Sequence, residues 1–177
     1  MRKILLISLA LCLTACANIP IATMLKFSSF DEDSFRALNA AEIKAKVDLS
    51  SPYTLNLEQT RLALMMETPS GFRNFDFPLV LEEQATLKEE AGFFSAAKDY
   101  TQYTFRVSED GIQNFATIQQ ELGPNSEGEH SFSVGTGFNE TPTEGDAIVF
   151  SIHLQLTATD DFITLIDHAE VEFKNGD

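Results

Sequence analysis

Tryptophan is absent from the 177 residues, and cysteine occurs only twice, at Cys12 and Cys16. Beyond Cys16 there is no thiol, so no disulfide can form within the body of the chain and stability has to come from packing. Basic residues are scarce: 12 Lys and Arg stand against 27 Asp and Glu. A field that negative repels nucleic acid and anionic lipid head groups, which argues against both as partners. The motifs of the common chemistries are missing as well. There is no G-x-S-x-G elbow, no HExxH, no P-loop and no GxGxxG, and the acidic doublets lack EF-hand spacing. Paired carboxylates are too frequent in so acidic a chain to mark a glycosidase. The longest apolar run is well short of the about 20 residues that a membrane-spanning helix needs. In place of Trp, 15 Phe and three Tyr predict a phenylalanine-rich core.

What is present begins at the N-terminus. Arg2 and Lys3 precede an apolar run from Ile4 to Leu13 and then small residues, the layout of a secretory signal. The stretch Leu13-Thr14-Ala15-Cys16 resembles the lipobox of bacterial lipoproteins, with Leu at −3, a small residue at −2 and Ala at −1. Cys12 fits less well: Leu11 before it is too bulky for a small-residue peptidase site, and a cut there leaves an apolar core of roughly eight residues. A plain signal peptide with Cys16 incidental is the alternative. The resemblance implies cleavage before Cys16, diacylglycerol on its thiol and an acyl chain on the new terminus, with no further cofactor. It also associates Ala17, in place of Asp, with export to the outer membrane. Two or more acyl chains hold firmly where one binds marginally. Loss of residues 1–15 leaves 162 residues with ten basic and 27 acidic side chains, a formal balance of −17 and enough chain for one domain.

The organisation expected is therefore a signal over 1–15, a lipidated terminus and short docked tether over 16–30, and one domain over 31–177. Met24, Leu25, Phe27 and Phe30 are too apolar for a free tether and are expected to dock. Asp31-Glu32-Asp33 precedes a short helical turn to Leu38, and Asn39 and Glu42 have capping-box spacing. Alternation then places Ile43, Ala45, Val47 and Leu49 on one face, Leu62, Leu64 and Met66 on another, and Phe75, Phe77, Leu79 and Leu81 on a third. Pro78 removes a backbone donor, which predicts an edge strand or a bulge there. Residues 82–99 carry no clear period beyond a short helix stopping at Gly92. Tyr103, Phe105 and Val107 point inward from the next strand. Ser108 caps a helix over 109–121, whose stripe is Ile112, Phe115, Ile118 and Leu122. Phe132, Val134 and Phe138 line a strand in which Gly135 and Gly137 predict a bulge. The pattern is mostly β: a single antiparallel β-sandwich of about seven strands with one packed α-helix.

The last hairpin carries the candidate sites. With its turn centred between Asp160 and Asp161, Ile148 faces Phe173, Phe150 faces Val171, Ile152 faces Ala169 and Leu156 faces Leu165, all apolar pairs. On the other face His153 then meets His168, and Ser151 meets Glu170. His153, His168 and Glu170 are candidates for a metal site, against the plainer reading of two imidazoles on a solvated face, since a stable site takes three or four ligands. Asp167 lands on the apolar face opposite Leu154, a candidate catalytic carboxylate or a structural acid at the end of the sandwich.

From Met24 onward the chain resembles a group of small proteobacterial lipoproteins. The resemblance rests on Met24-Leu-Lys-Phe-Ser-Ser-Phe30, on Tyr103-Thr-Phe-Arg-Val-Ser-Glu-Asp110 running from strand into capped helix, and on the alternating hairpin from Ile152 to Phe173. These motifs are structural and carry over no catalytic residue; a cysteine that some members have in the strand after the helix is missing here. The function expected is that of a non-enzymatic module lipid-anchored to the outer membrane, on its periplasmic face, which binds or supports an envelope protein through sheet edges or loops. The edge near Pro78 and the loops 82–99 and 139–146 are the surfaces expected to serve. The alternative is a periplasmic ligand-binding, metal-binding or hydrolytic domain using His153, His168 and Asp167.

Overall fold

The computed structural model describes residues 19–28, 30–68, 71–89, 98–121 and 130–173. Among the described residues short helical pieces come first, and seven strands then follow in two runs separated by one longer helix. Helices α1 (Ile21–Phe27) and α2 (Glu32–Ala37) and one 3₁₀ turn (Ala40–Glu42) lead into β1 (Lys44–Ser50), β2 (Leu55–Thr68), β3 (Gly71–Glu89) and β4 (Lys98–Val107). Helix α3 (Glu109–Glu121) follows, then β5 (His130–Phe138), β6 (Ala147–Gln155) and β7 (Ile163–Glu172). All pairings are antiparallel, in the order β5-β2-β3-β4-β1-β6-β7. The mostly-β architecture with one packed helix is thus present, its layers being parts of one continuous, nearly closed sheet.

The inner face follows from the period-two pattern. Ile43, Ala45, Val47 and Leu49 are all buried, as are Leu62, Leu64 and Met66 on β2 and Tyr103, Phe105 and Val107 on β4. Phe77 and Leu79 are buried on β3, with Phe75 and Leu81 packed at the core's margin. Phenylalanine supplies the bulk: Phe35, Phe77, Phe105 and Phe115 are completely buried. The ring of Phe115 lies 4.8 Å from Phe35 and 4.9 Å from Phe77, so α3 closes one end of the rolled sheet with α2 beside it. Ile118 is buried on the same stripe, while Leu122 lies outside the described residues. Ser108 caps α3 by accepting from the Gly111 N–H at 3.0 Å. The Gln119 amide donates to the carbonyls of Phe35 and Leu38, at 2.9 and 3.0 Å, and so satisfies backbone acceptors at the end of α2.

Four expectations change. Residues 82–89 are not an ill-defined loop or helix; they continue β3 in register with β4 as far as Glu89↔Lys98, and 90–97, with Gly92, lie outside the described residues. Glu82 is skipped in that register, a bulge that bends a 19-residue strand around the core. Pro78 does not mark an edge either, because β3 is paired on both sides. Its carbonyl accepts from the Ser108 N–H at 2.9 Å, so the donor it lacks would also have faced Ser108. The Ser108 carbonyl is already taken by Ile112 N–H in the first turn of α3, and the proline therefore costs no ladder bond. Third, only one turn follows Asn39, as its spacing allows, but the capping contacts shift: Asn39 caps Ala41 N–H in a 3₁₀ turn and not Glu42 N–H, while Glu42 accepts from the Asn39 side-chain amide and from Ala158 N–H of the β6–β7 turn. Fourth, the irregularity opposite Gly135 and Gly137 sits on β2: Asn56 pairs with Gly137 and Arg61 with Gly135, so 57–60 bulge out. The Gln59 amide packs over Gly137, where a Cβ would make it shift.

These contacts give two stability predictions. Phe115→Ala should lower the unfolding free energy by about 3–5 kcal/mol in urea denaturation, because it empties the contact of α3 with both flanking rings. Gly111→Ala should cost about 1–3 kcal/mol, since the new Cβ would lie 2.6 Å from Val107 Cγ1 and 3.1 Å from the Pro78 carbonyl.

Candidate functional site

The register of the last hairpin differs from the expected one, and the candidate site changes with it. Ile148 pairs with Val171 and Phe150 with Ala169, then Ile152 with Ile166 and His153 with Thr164. Two single-residue shifts accumulate in β7 between Ala169 and Thr164. The turn is also wider than two residues. Leu154 pairs with Ile163, and Leu156 leaves the ladder to bury itself at the end of the core. The first shift is a bulge at Asp167 and His168, where His168 takes a positive φ of 45° and its N–H bonds to Ser151 Oγ at 2.9 Å. Strict alternation would have put the Asp167 carboxylate on the apolar face, at a large desolvation cost. The bulge turns it outward instead: Asp167 is exposed and bonds its own neighbour, His168 Nδ1, at 2.6 Å. The expectation of Asp167 opposite Leu154 is therefore corrected.

His153 and His168 consequently do not face each other. His153 stands half-buried on the outer face of β6, with Nδ1 at 3.0 Å from Thr164 Oγ1 and Nε2 at 3.3 Å from Asp48 Oδ2. Asp48 Oδ1 accepts from the Gln102 amide at 2.8 Å, which ties β1, β4, β6 and β7 together across the outer face. Burial pushes the Asp48 carboxyl up, but hydrogen bonds from His153 and Gln102, with the charges of His153 and Lys46, more than offset this and hold it below the usual carboxylate range. His168 lies beside Tyr100, ring centroids 6.2 Å apart, at the rim of a shallow dish that also contains Asp48 and Ser151. Glu170 is exposed opposite Val149. Among the described residues no three His, Cys, Asp or Glu gather as a metal-binding group. Cys16 lies outside them.

A second feature has no counterpart in the sequence-based candidates. Strands β5 and β7 are the two edges of the sheet, and the seam between them is apolar. Under α1 the seam opens into a cavity of about 320 Å³ lined by Ile19, Thr23, Phe27, Val134, Ile152 and Ile166, among others. A second cavity of about 300 Å³ shares Val134 and Ile152 in its wall and reaches Phe138, Val171 and Phe173. No charged side chain among the described residues lines either one. Helix α1 straddles the seam. Thr23 Oγ1 donates to the Thr164 carbonyl on β7, and the Phe27 ring sits 6.2 Å from Phe132 on β5. Phe30 packs edge-on against the same ring at 5.5 Å. Phe27 and Phe30 thus dock as expected. Met24 is half in, at the cavity wall, whereas Leu25 turns out to solvent with Ile21. No helix among the described residues is long and apolar enough to cross a membrane.

At the opposite end the loop 139–146 is exposed but pinned. Glu140 accepts from the Thr54 N–H and hydroxyl, both at 2.8 Å, and these bonds hold its carboxyl below the usual range. Asp146 is lowered by hydrogen bonds from Tyr53 and from Thr143, and the same contact with Asp146 raises the Tyr53 phenol. Comparison of the chain with protein families, with curated proteins and with solved structures finds no match.

The pH profile follows from these shifts. Asp48, Glu140 and Asp146 have folded pKa values below their unfolded ones, so their contribution is complete above about pH 4 and is lost as pH falls through the folded values. Tyr53 is raised, so its contribution holds below about pH 10 and is lost as pH rises through the folded value. Urea midpoints should form a plateau that falls at both ends. Asp48→Asn should flatten the acid limb, and Asp146→Asn should return the Tyr53 phenolate absorbance titration towards about pH 10.

Proposed function

We propose that this chain is a lipoprotein, acylated at Cys16 and held at the periplasmic face of the outer membrane, whose domain works by binding an envelope protein partner and not by catalysis. The observation that carries the reading is the open seam: β5 and β7 end the sheet with unmatched edges, the kind of surface that accepts an added strand. The lipobox resemblance at Leu13-Thr14-Ala15-Cys16 supports the anchor, and Ala17 supports the outer membrane. Ile19 and α1 follow Cys16 within a few residues, which supports a short leash and a domain close to the bilayer.

The reading through His153, His168 and Asp167 has less support. Both ring nitrogens of His153 are engaged, and the register of the hairpin sets Thr164, not His168, opposite His153. Its remaining support is the dish beside Asp48 and His168. Calorimetry with zinc on the wild type and on His153→Ala separates the two readings; a saturable heat lost in the variant would favour the metal site.

Growth with an alkyne-tagged fatty acid should label the wild-type chain and leave Cys16→Ser unlabelled, and the label should fractionate with the outer membrane. A photo-crosslinking residue at exposed Thr136 on β5 should trap a specific envelope protein in intact cells, whereas the same residue at exposed Gln113 on α3 should not. Capture of lipid and abundant porins alone from Thr136 would count against a protein partner.

A further inference from the structure

We infer that the seam cavity is a binding site for one acyl chain of a membrane phospholipid with an electrically neutral head group. Three observations meet there. The two cavities share Val134 and Ile152 in their walls, and their linings together run along β5 from Ser131 to Phe138, about 24 Å at strand rise and the length scale of an extended hydrocarbon chain. Their walls are apolar side chains with a few hydroxyls and, among the described residues, carry no charge, so they can take a methylene chain and cannot pair with an ionised ligand.

The mouth is continuous with an apolar surface. Ile21 and Leu25 on α1 are 75% and 67% exposed, and Ile19 and Met24, which wall the cavity, are each 42% exposed. An exposed apolar patch running into an apolar cavity marks contact with lipid or protein rather than water. Thr23 is buried against β7, so α1 presents one side to the seam and the other outward. Charge decides the class of lipid. With a formal net charge of −15 the chain repels an anionic head group, whereas a zwitterionic one meets no such barrier. The inference rests on the proposed anchoring only for the orientation of the mouth towards a bilayer; the cavity itself does not depend on it.

The test uses the full lipoprotein purified in a non-ionic detergent and titrated with phosphatidylethanolamine carrying a pyrene-labelled acyl chain. Saturation at one lipid per chain is expected, with phosphatidylglycerol binding several-fold more weakly at low ionic strength and the gap closing in high salt. Val134→Trp, which fills the junction of the cavities, and Met24→Glu, which sets a carboxylate on the wall, should each weaken binding about tenfold or more. Met24 is 42% exposed at the cavity mouth, so its variant should still fold cooperatively even if Val134→Trp does not. Absence of saturable binding, or equal binding by wild type and Met24→Glu, overturns the inference. Binding by the full chain carrying Cys16→Ser but not by the wild type would assign the cavity to the protein's own acyl chain and overturn the membrane source. A co-purifying polypeptide that blocks the probe would give the cavity to the protein partner proposed above and overturn the lipid inference. Because the assay needs no anchor, its failure leaves the proposed acylation at Cys16 standing, and failure of acylation leaves the cavity standing.

Discussion

A sheet with one apolar face has to cover that face, and in this chain the sheet covers it with itself. The bulges at Glu82 and over 57–60 let long strands curve, so that β5 comes round towards β6 and β7 with a phenylalanine core between them. Each end of the roll is closed by a different device. Phe115 of α3 and Phe35 of α2 plug one, while Asn139 and Glu140, bonded to Thr54, strap the other. The seam is left, because β5 and β7 remain the ends of the ladder, and α1 lies across it. The least closed part of the core is therefore the part that α1 covers.

The β7 bulge shows how polar groups are kept out of such a core. An alternating strand with a carboxylate on its inner face has two outcomes: bury the charge or break the alternation. Breaking it costs one residue of register and a left-handed backbone at His168, both small beside an uncompensated buried carboxylate. Separately, the register of the hairpin sets Thr164, not His168, opposite His153. What remains is a structural network, in which Asp48 holds Gln102 and His153, and His153 holds Thr164. With both imidazole nitrogens hydrogen-bonded, this network braces the outer face across four strands.

Acidity and apolarity are separated in space. The excess of carboxylates lies on the solvated face, whereas the seam cavity has no charged lining among the described residues.

Much of the architecture was legible in the residues. Alternation identified the inner faces of β1, β2 and β4, and Ser108 with the Ile112, Phe115, Ile118 stripe placed α3, because period and capping are local properties. The proximity of Phe27 and Phe30 to the domain was legible from their hydrophobicity. Pairing was not. The position of Pro78 in a central strand depends on where β4 ends, the fate of 82–89 depends on a partner strand, and the outward turn of Asp167 depends on a bulge that no local pattern announces. The sequence by itself determined which residues belong inside and which address the chain resembles. Only the tertiary structure decided which edges stay open and what lies between them, because an edge is defined by the strand that fails to arrive.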